Sequence, residues 1–479
     1  MNRRGTALIT AAAACLALAA GSAAAAANAA TAGASGTAQP TASSGHWTAA
    51  VPVPGLAALN VGLNADLNDI ACAVGGNCAA GGTYTDKAGH SQAWIASEVG
   101  GRWHTAEEVP GTAALNAGGN AAVNLVTCLS PGHCLAVGET ANAAHVQSTF
   151  SATEASNGTW STATPIAAGL NASEIACPQA GACILGGATA STVGQAAVSV
   201  EHGAAWSTPQ TLPGVAALGP HGSTVTILTC SSPGNCLAGG TYVPNHPHLL
   251  FDQLVFVASE VKGVWHRAVP LPGAARLNTG HEADILAVSC ASAGNCSVGG
   301  YDNLSTGQLG SFVANEVRGG WDTARAVPGG SEVSGLRCTA AATCLAVGFG
   351  GDAGLIAAEK NGIWGKNRLL PDYDYGTPLT AISCRSAGNC LATGYMVLPN
   401  EDDYYPGNQS FGIAEVNGTW GPIKFLTVPD IAAGGGVTNS AVQSCDRNGD
   451  CAVGGSIQYT ANGVEEAAGY SAYVASYTP

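Results

Sequence analysis

The chain has 479 residues and a formal net charge of −15, and only 10% of its residues are charged. Apart from Arg3 and Arg4, its Lys and Arg residues are scattered singly along the sequence, whereas a surface that binds nucleic acid or anionic lipid needs clustered cations. This composition therefore predicts no nucleic-acid partner.

The N-terminal segment is typical of a secretory signal. Arg3 and Arg4 precede an apolar, Ala-rich run, and Ala-x-Ala cleavage options follow within residues 1–30. Residues 31–45 are rich in Ala, Ser, Thr and Gly, which predicts a flexible tether before a single domain at 46–479. No second hydrophobic run follows, so we expect no membrane span after signal cleavage. We expect a secreted protein that is extracellular or loosely associated with the cell envelope.

Sixteen of the 17 cysteines form eight pairs with C-x5-C spacing, and the remaining one, Cys15, lies in the apolar part of the signal. Zinc sites use tighter cysteine spacing, and no His recurs in register to complete such sites. Because export delivers the chain to an oxidising compartment, we expect each pair to form a disulfide. The predicted disulfides join Cys72 with Cys78, Cys128 with Cys134, Cys177 with Cys183, Cys230 with Cys236, Cys290 with Cys296, Cys338 with Cys344, Cys384 with Cys390, and Cys445 with Cys451.

Each cysteine pair sits in a repeat that predicts four strands. The first strand runs into the first Cys, the second runs from the second Cys to a Gly, the third alternates before a turn, and the fourth begins at a recurring Trp. Since one such sheet cannot bury both of its faces, the repeat predicts an all-β protein, an eight-bladed β-propeller of four-stranded antiparallel blades. The recurring tryptophans are Trp47, Trp103, Trp160, Trp206, Trp265, Trp321, Trp364 and Trp420.

The two ends of the repeat region complement each other. Residues 45–54 have the pattern of a fourth strand without the other three, and residues 470–477 have the pattern of a third strand that no Trp strand follows. A solenoid would need a cap at each end, whereas a ring needs only the missing strand. We therefore predict a propeller that is closed by the N-terminal strand joining the last blade.

The repeat resembles a kelch blade, because a double glycine ends the second strand and a Trp follows further on. It departs from kelch in lacking a Tyr before the Trp and in carrying paired cysteines. The chain is more similar to secreted, actinobacterial-type repeat proteins described as kelch-like or sialidase-repeat-like propellers of unknown activity. This resemblance implies the propeller fold over 46–479 and transfers no catalytic residue. The double glycines are Gly81-Gly82, Gly186-Gly187, Gly239-Gly240, Gly299-Gly300 and Gly454-Gly455.

Two acidic–aromatic segments are predicted to meet on one face of blade 7, in the loop that enters the blade and in the loop between its second and third strands. Carboxylates two residues apart beside tyrosines suit Ca²⁺ ligation or sugar binding, and paired carboxylates can hydrolyse glycosides. A solvated acidic loop is the competing interpretation. If the protein has a ligand or ion, we expect it to bind here, with Ca²⁺ as the one cofactor to consider. The residues are Asp372, Tyr373, Asp374, Tyr375, Glu401, Asp402, Asp403, Tyr404 and Tyr405.

A histidine-rich group on the same face is the alternative metal site. His246 and His248 lie in a loop of blade 4, and His281 lies where the chain enters blade 5. Histidines with nearby carboxylates can bind a transition metal. Because their spacing matches no established signature, exposed loop histidines are the competing interpretation.

Two further features recur along the chain. A Leu-Asn pair follows the fourth strand at Leu59-Asn60, Leu115-Asn116, Leu170-Asn171 and Leu277-Asn278. We expect the Leu to fill space between blades and the Asn to close a turn, and one weak glycan pocket per blade is the alternative. A Glu in the third strand is interpreted as structural, since seven copies do not make a single active site. These are Glu98, Glu154, Glu201, Glu260, Glu316, Glu359 and Glu415.

The sequence favours a recognition module over an enzyme, since it contains no Ser/His/Asp or Cys/His nucleophile motif, phosphate-binding loop or HExxH motif. We expect carbohydrate or another surface polymer as the ligand. Two alternatives stay open: a hydrolase or lyase that acts on polysaccharide through the blade 7 loops, and a cell-surface scaffold that binds protein. Propellers serve as both enzymes and scaffolds, so the fold does not decide between them.

Overall fold

A computed structural model describes residues 46–166, 169–203, 205–245, 252–351, 353–370, 376–398, 407–426, 436–445, 450–460 and 467–478. The predicted signal (1–30) and tether (31–45) lie outside these ranges. Within them the chain forms eight antiparallel blades around a ring, and one extra pairing between Asn408 and Thr438 joins blades 7 and 8. The predicted eight-bladed β-propeller is confirmed.

Three long strands form the body of each blade, numbered along the chain. The first strands are β3 (Ala65–Ala73), β8 (Ala121–Ser130), β12 (Leu170–Ala176), β17 (Ser223–Ser232), β22 (Ala283–Ser292), β27 (Glu332–Ala340), β32 (Leu379–Ser386) and β37 (Gly436–Cys445). The second strands are β4 (Asn77–Thr85), β9 (His133–Ala141), β13 (Ile184–Thr189), β18 (Asn235–Tyr242), β23 (Asn295–Asn303), β28 (Thr343–Gly350), β33 (Asn389–Leu398) and β38 (Cys451–Thr460). The third strands are β5 (Ser91–Val99), β10 (Gln147–Thr153), β14 (Ala196–His202), β19 (Leu254–Val261), β24 (Leu309–Val317), β29 (Ala353–Lys360), β34 (Gly407–Val416) and β39 (Ala467–Thr478).

The fourth strand is broken into short pieces in the structure. The reason is that the backbone N–H between the pieces turns away from the third strand, as Ala106 does when it donates to the Pro54 carbonyl of the preceding linker at 2.7 Å. Blades 4 and 5 repeat this bond with Ala268 and Ala324. The pieces are β1 (His46–Trp47), β2 (Val51–Pro52), β6 (Arg102–Trp103), β7 (Glu107–Glu108), β11 (Thr164–Pro165), β15 (Ala205–Trp206), β16 (Gln210–Thr211), β20 (Val264–Trp265), β21 (Val269–Pro270), β25 (Gly320–Trp321), β26 (Arg325–Ala326), β30 (Ile363–Trp364), β31 (Arg368–Leu369), β35 (Thr419–Trp420) and β36 (Lys424–Phe425).

The first strands line the axis of the ring, because the first strand of every blade contacts the first strands of both neighbouring blades. Each of them carries a β-bulge three to five residues before its Cys. In blades 1, 3, 4 and 6 the unpaired residue of the bulge is polar and donates a hydrogen bond to the next blade. Asn68 Nδ2 donates to the Val123 carbonyl of blade 2 at 2.8 Å, and Ser334 Oγ donates to the Leu379 carbonyl of blade 7 at 2.7 Å. The bulges therefore position polar side chains at the axis.

The double glycine of the second strand is explained by close packing on both sides of the blade. A Cβ on Gly82 would lie 2.0 Å from the Asp66 carbonyl oxygen of the paired first strand. A Cβ on Gly81 would lie 2.5 Å from the Val123 side chain of the next blade. The first glycine thus allows the blades to approach each other, and the second allows the first strand to bulge.

Ring closure by the N-terminal strand is confirmed. Trp47 pairs with Tyr477 and Val51 pairs with Val474 in β39, so β1 and β2 form the fourth strand of blade 8. The Trp47 and Tyr477 ring centroids are 5.0 Å apart. A Cβ on Gly412 would lie 2.8 Å from Trp47 Cζ2, which shows that the indole also packs on blade 7.

All eight predicted disulfides are confirmed, and each joins the first and second strands of one blade with Cα atoms 4.0–4.1 Å apart. Disulfides at this density are typical of proteins that fold in an oxidising compartment. No helix among the described residues is long and apolar enough to cross a bilayer. In chain order the bonds join Cys72 to Cys78, Cys128 to Cys134, Cys177 to Cys183, Cys230 to Cys236, Cys290 to Cys296, Cys338 to Cys344, Cys384 to Cys390, and Cys445 to Cys451.

We expect the mature protein to contain eight disulfides and no free thiol, since every cysteine in the blades is paired. Intact mass before and after alkylation measures this directly. Two or more alkylated thiols without reductant would contradict the pairing, and a mapped peptide linking cysteines of different blades would contradict the stapled hairpins.

Candidate functional site

The acidic–aromatic residues predicted in blade 7, Asp372–Tyr375 and Glu401–Tyr405, lie outside the described residues. The strands that flank them are described, and their ends lie at the same edge of the blade. Leu379, at the start of β32, pairs with Gly394 near the end of β33, and Leu398 pairs with Gly407 at the start of β34. The ligand site in these loops stays a prediction.

Of the predicted histidine site, only His281 is described, and His246 and His248 lie outside the described residues. The His281 backbone has a φ of 71°, and its Nδ1 lies 3.4 Å from Oδ1 of the buried Asp252. No group of three or more His, Cys, Asp or Glu side chains in the described part of the chain could hold a metal ion.

The Leu-Asn pairs are structural in three of the four blades where they occur. In each of the three, the Leu is the last residue of a one-turn helix and the Asn follows it directly. The Asn side chain then closes the linker, as Asn60 does by donating to the Tyr470 carbonyl at 2.9 Å and accepting from the Asn64 backbone N–H at 2.9 Å. Asn116 and Asn278 are similarly buried, which leaves no exposed amide for a glycan at these three positions. The helices are α1 (Leu56–Leu59), α2 (Thr112–Leu115), α3 (Val215–Leu218) and α4 (Ala274–Leu277).

The prediction that the fourth pair, Leu170-Asn171, lies in a linker like the other three is wrong. Both residues lie in β12. Only four residues separate β11, which ends at Pro165, from β12, whereas twelve separate β7 from β8. The shorter segment has no room for a helical turn before the strand begins.

Most of the third-strand glutamates are buried within the blades, which supports the structural interpretation. Six of the seven are no more than 7% exposed, and each of the seven pairs in the strand register with the Trp of its own blade. Burial raises the pKa of all seven carboxyls. Blade 8 has Tyr477 instead of Glu at this register position, opposite Trp47.

Several of these glutamates accept a hydrogen bond from the preceding blade. The donor is the residue just before that blade's own Glu position. Ser476 Oγ donates to Glu98 Oε1 at 2.6 Å and Ser259 Oγ donates to Glu316 Oε1 at 3.1 Å. Ser97 donates to Glu154, and Asn315 donates to Glu359. A buried carboxylate is thus satisfied across the junction between two blades.

At the axis, three carboxyl groups from non-adjacent blades lie close enough to interact. Glu174 of blade 3 is repelled by Asp69 of blade 1 and Asp284 of blade 5. Burial and this repulsion raise the pKa of Glu174 to about 8. Burial raises the pKa of Asp69 to about 7, although the Val126 N–H donates to its Oδ2 at 2.7 Å. Both side chains keep some access to solvent.

A groove between blades 6 and 7, which we call the 6/7 groove, has a volume of about 630 Å³. Blade 6 contributes Glu359, and blade 7 contributes Glu415 and the half-buried ring of Trp420. Exposed cationic side chains of blade 6 line its rim. These are Arg337, Lys360, Lys366 and Arg368.

A matched groove of about 300 Å³, the 4/5 groove, lies between blades 4 and 5. Glu260 and Glu316 correspond to the two glutamates of the 6/7 groove, and Trp321 corresponds to Trp420. Arg267 and Lys366 each lie two residues after the Trp of their own blade. Both grooves open toward the disulfide-bonded hairpins. This face is opposite to the one whose loops are predicted from the sequence to bind a ligand.

A third cavity, of about 610 Å³, lies on the predicted loop face between blades 5 and 6. Asp302 and Glu332 line it together with Phe349. Burial raises the pKa of both carboxyls. The described residues that line this cavity include no basic side chain, so it differs chemically from the two grooves.

Sequence reasoning missed the cationic rim of the 6/7 groove. The Lys and Arg residues are scattered along the chain, but strand register brings four of the 16 to one groove. Arg337 comes from the first strand, Lys360 from the end of the third, and Lys366 and Arg368 from the fourth. Aligning the repeats on their Cys and Trp would have placed these residues in the same blade, though not at the same groove.

No protein-family model and no curated protein matches this chain. Similar solved structures include YCF48 from Cyanidioschyzon merolae, with 14% identity over 72% of this chain and 96% of that one and a TM-score of 0.42. The β-propeller domain of the Trilobed protease from Pyrococcus furiosus has 10% identity over 76% and 98%, with a TM-score of 0.42. An ulvan lyase, titled a new family of polysaccharide lyase, has 9% identity over 89% and 95%, with a TM-score of 0.42. The fold assignment rests on this chain's own strand pairing, and the kelch-like or sialidase-repeat resemblance stays a prediction.

Proposed function

We propose that this protein is a secreted, disulfide-stapled recognition module that binds carbohydrate or another surface polymer through the grooves between its blades. The observation that carries the proposal is the occurrence of two matched grooves on one ring. Each combines a half-buried indole, two glutamates and at least one cation. An indole offers a flat apolar surface for a sugar ring, and charged side chains at its edge can bond hydroxyl and ionic groups.

Matched grooves favour a polymer over a small ligand. A repeating polymer that engages one groove raises its effective concentration at the next, so weak individual sites add up to useful avidity. The acidic–aromatic loops of blade 7 are proposed as an additional contact for such a polymer, with Ca²⁺ as their candidate ion. The disulfides suit an extracellular setting, because each protects a hairpin against unfolding and proteolysis.

A glycan array probed with the secreted protein tests this function. We expect retention on a polysaccharide without release of product. Trp420→Ala and Trp321→Ala should each weaken that binding by about tenfold, because they remove the stacking surface of a groove. Trp206→Ala, the same substitution at the same register position of blade 3, is the control and should bind like the unchanged protein.

The other outcomes separate the alternatives. Release of shortened product would favour a hydrolase or lyase. Equal losses in all three Trp variants would indicate general destabilisation, which a thermal melt of each variant would reveal. Absence of binding to any polymer on the array would reject the proposed function.

A further inference from the structure

The junction between blades 6 and 7 lacks a hydrogen bond that other junctions have. At four junctions the residue just before the third-strand Glu, or before Tyr477 in blade 8, is a Ser or Asn that donates to the Glu of the next blade. In blade 6 this residue is Ala358, which has no polar side chain to donate to Glu415. Oε2 of Glu415 is buried without a hydrogen-bond partner among the described residues.

A second acceptor atom in the same groove is also unsatisfied. Glu359 is 3% exposed, and Asn315 of blade 5 donates to its Oε1, but its Oε2 is buried without a partner in the described part of the chain. Buried polar atoms of native proteins are rarely left without a partner, and those that are need an explanation. Both glutamates line the 6/7 groove, and each keeps one acceptor oxygen that no described residue bonds.

The rim of the groove is cationic and therefore favours negatively charged groups. Lys360, Lys366 and Arg368 are exposed, and they belong to a chain whose formal net charge is −15. Exposed cations gathered at one groove of an acidic protein give a local site for anionic groups. A ligand that suits both features has hydroxyl groups to donate and fixed negative charges to pair with the rim.

We propose that the 6/7 groove binds an anionic polysaccharide, one that bears carboxylate or sulfate groups. Sugar hydroxyls donate to the carboxyl groups of Glu359 and Glu415, the anionic groups pair with Lys366 and Arg368, and a sugar ring packs against Trp420. This inference rests on the proposed function and names its substrate class. Proteins and nucleic acids are outcomes of the tests rather than parts of the proposal.

Binding of dextran sulfate, polygalacturonate and unsubstituted dextran to the full-length secreted protein tests the charge preference. We expect the two anionic polymers to bind and dextran to bind at least tenfold more weakly. Lys366→Ala with Arg368→Ala should weaken anionic binding by tenfold or more and reduce its salt dependence. Lys87→Ala with Arg102→Ala removes the same charge from exposed sites on blade 1 and is the matched control. Equal losses in the two double variants would overturn the proposal.

Three results distinguish this inference from the proposed function. Binding of neutral dextran with no preference for the anionic polymers would leave the function standing and reject the inference. Single-stranded DNA bound as tightly as polygalacturonate, and lost in the same variants, would show a general polyanion surface and reject the polysaccharide. Failure to bind any polymer would reject both.

Discussion

Deleting residues 46–54 is expected to destabilise the protein by roughly 5 kcal/mol or more, the cost of exposing several buried apolar side chains and breaking strand pairing. The segment supplies the fourth strand of blade 8 through β1 and β2. It also buries Ala50 and Val53, and Trp47 packs on Tyr477. Urea unfolding, followed by tryptophan fluorescence, gives the midpoint and the free energy of unfolding.

Deletion of residues 31–43 is the matched control and should leave the unfolding midpoint unchanged. Deletion of residues 46–54 also exposes the edge of β39, and an exposed edge strand promotes association. We therefore expect concentration-dependent aggregation of the 46–54 deletion on size-exclusion chromatography. Equal midpoints for the two truncations would show that the N-terminal strand does not close the ring.

The fold could be predicted because its signals recur in every blade. The Cys pair fixes the first hairpin and the Trp fixes the start of the fourth strand, so eight weak patterns support one another. Leu170-Asn171 shows where the repeat pattern fails as a predictor. The dipeptide recurs in blade 3, but the linker before it is shorter than in the other blades. Linker length decides whether a helical turn can form.

The grooves were harder to predict because they lie between repeats. Within one repeat, the positions of Glu359 and Lys366 follow from their separation in sequence from Trp364. Only the packing of adjacent blades brings Glu415 to the same groove. The replacement of Ser or Asn by Ala358 was visible in the sequence. Its consequence could not be predicted, because only the structure shows that this position donates a hydrogen bond to the next blade. The acidic residues at the axis were missed for the same reason, although Asp69 and Glu174 share one position, three residues before the Cys of their blades.

Stability is expected to fall as the pH rises from about 4 to about 8, the range between the unfolded and folded pKa values of the axial carboxyl groups. The pKa of Glu174 is raised from 4.5 to about 8, and that of Asp69 from 3.8 to about 7. Between their unfolded and folded pKa values these groups hold protons in the folded protein that the unfolded chain has released. The folded state is therefore penalised increasingly through this range, and fully above about pH 8. Raising one carboxyl pKa this far costs roughly 4 kcal/mol, and because both side chains retain solvent access we expect about 2 kcal/mol from each.

Glu174→Gln should flatten this pH profile, because it removes the ionisable group and the repulsion from Asp69 and Asp284. We expect the variant to be more stable than the unchanged protein at about pH 9 and nearly equal to it at about pH 5. Asp86→Asn is the control: Gln92 donates to Asp86 and lowers its pKa, so the loss of this carboxylate should not flatten the profile. The seven third-strand glutamates also have raised pKa values, so part of the slope should persist in Glu174→Gln. Thermal melts across the range measure the effect. A profile for Glu174→Gln parallel to that of the unchanged protein would mean that the ionisation of Glu174 does not contribute to the pH dependence.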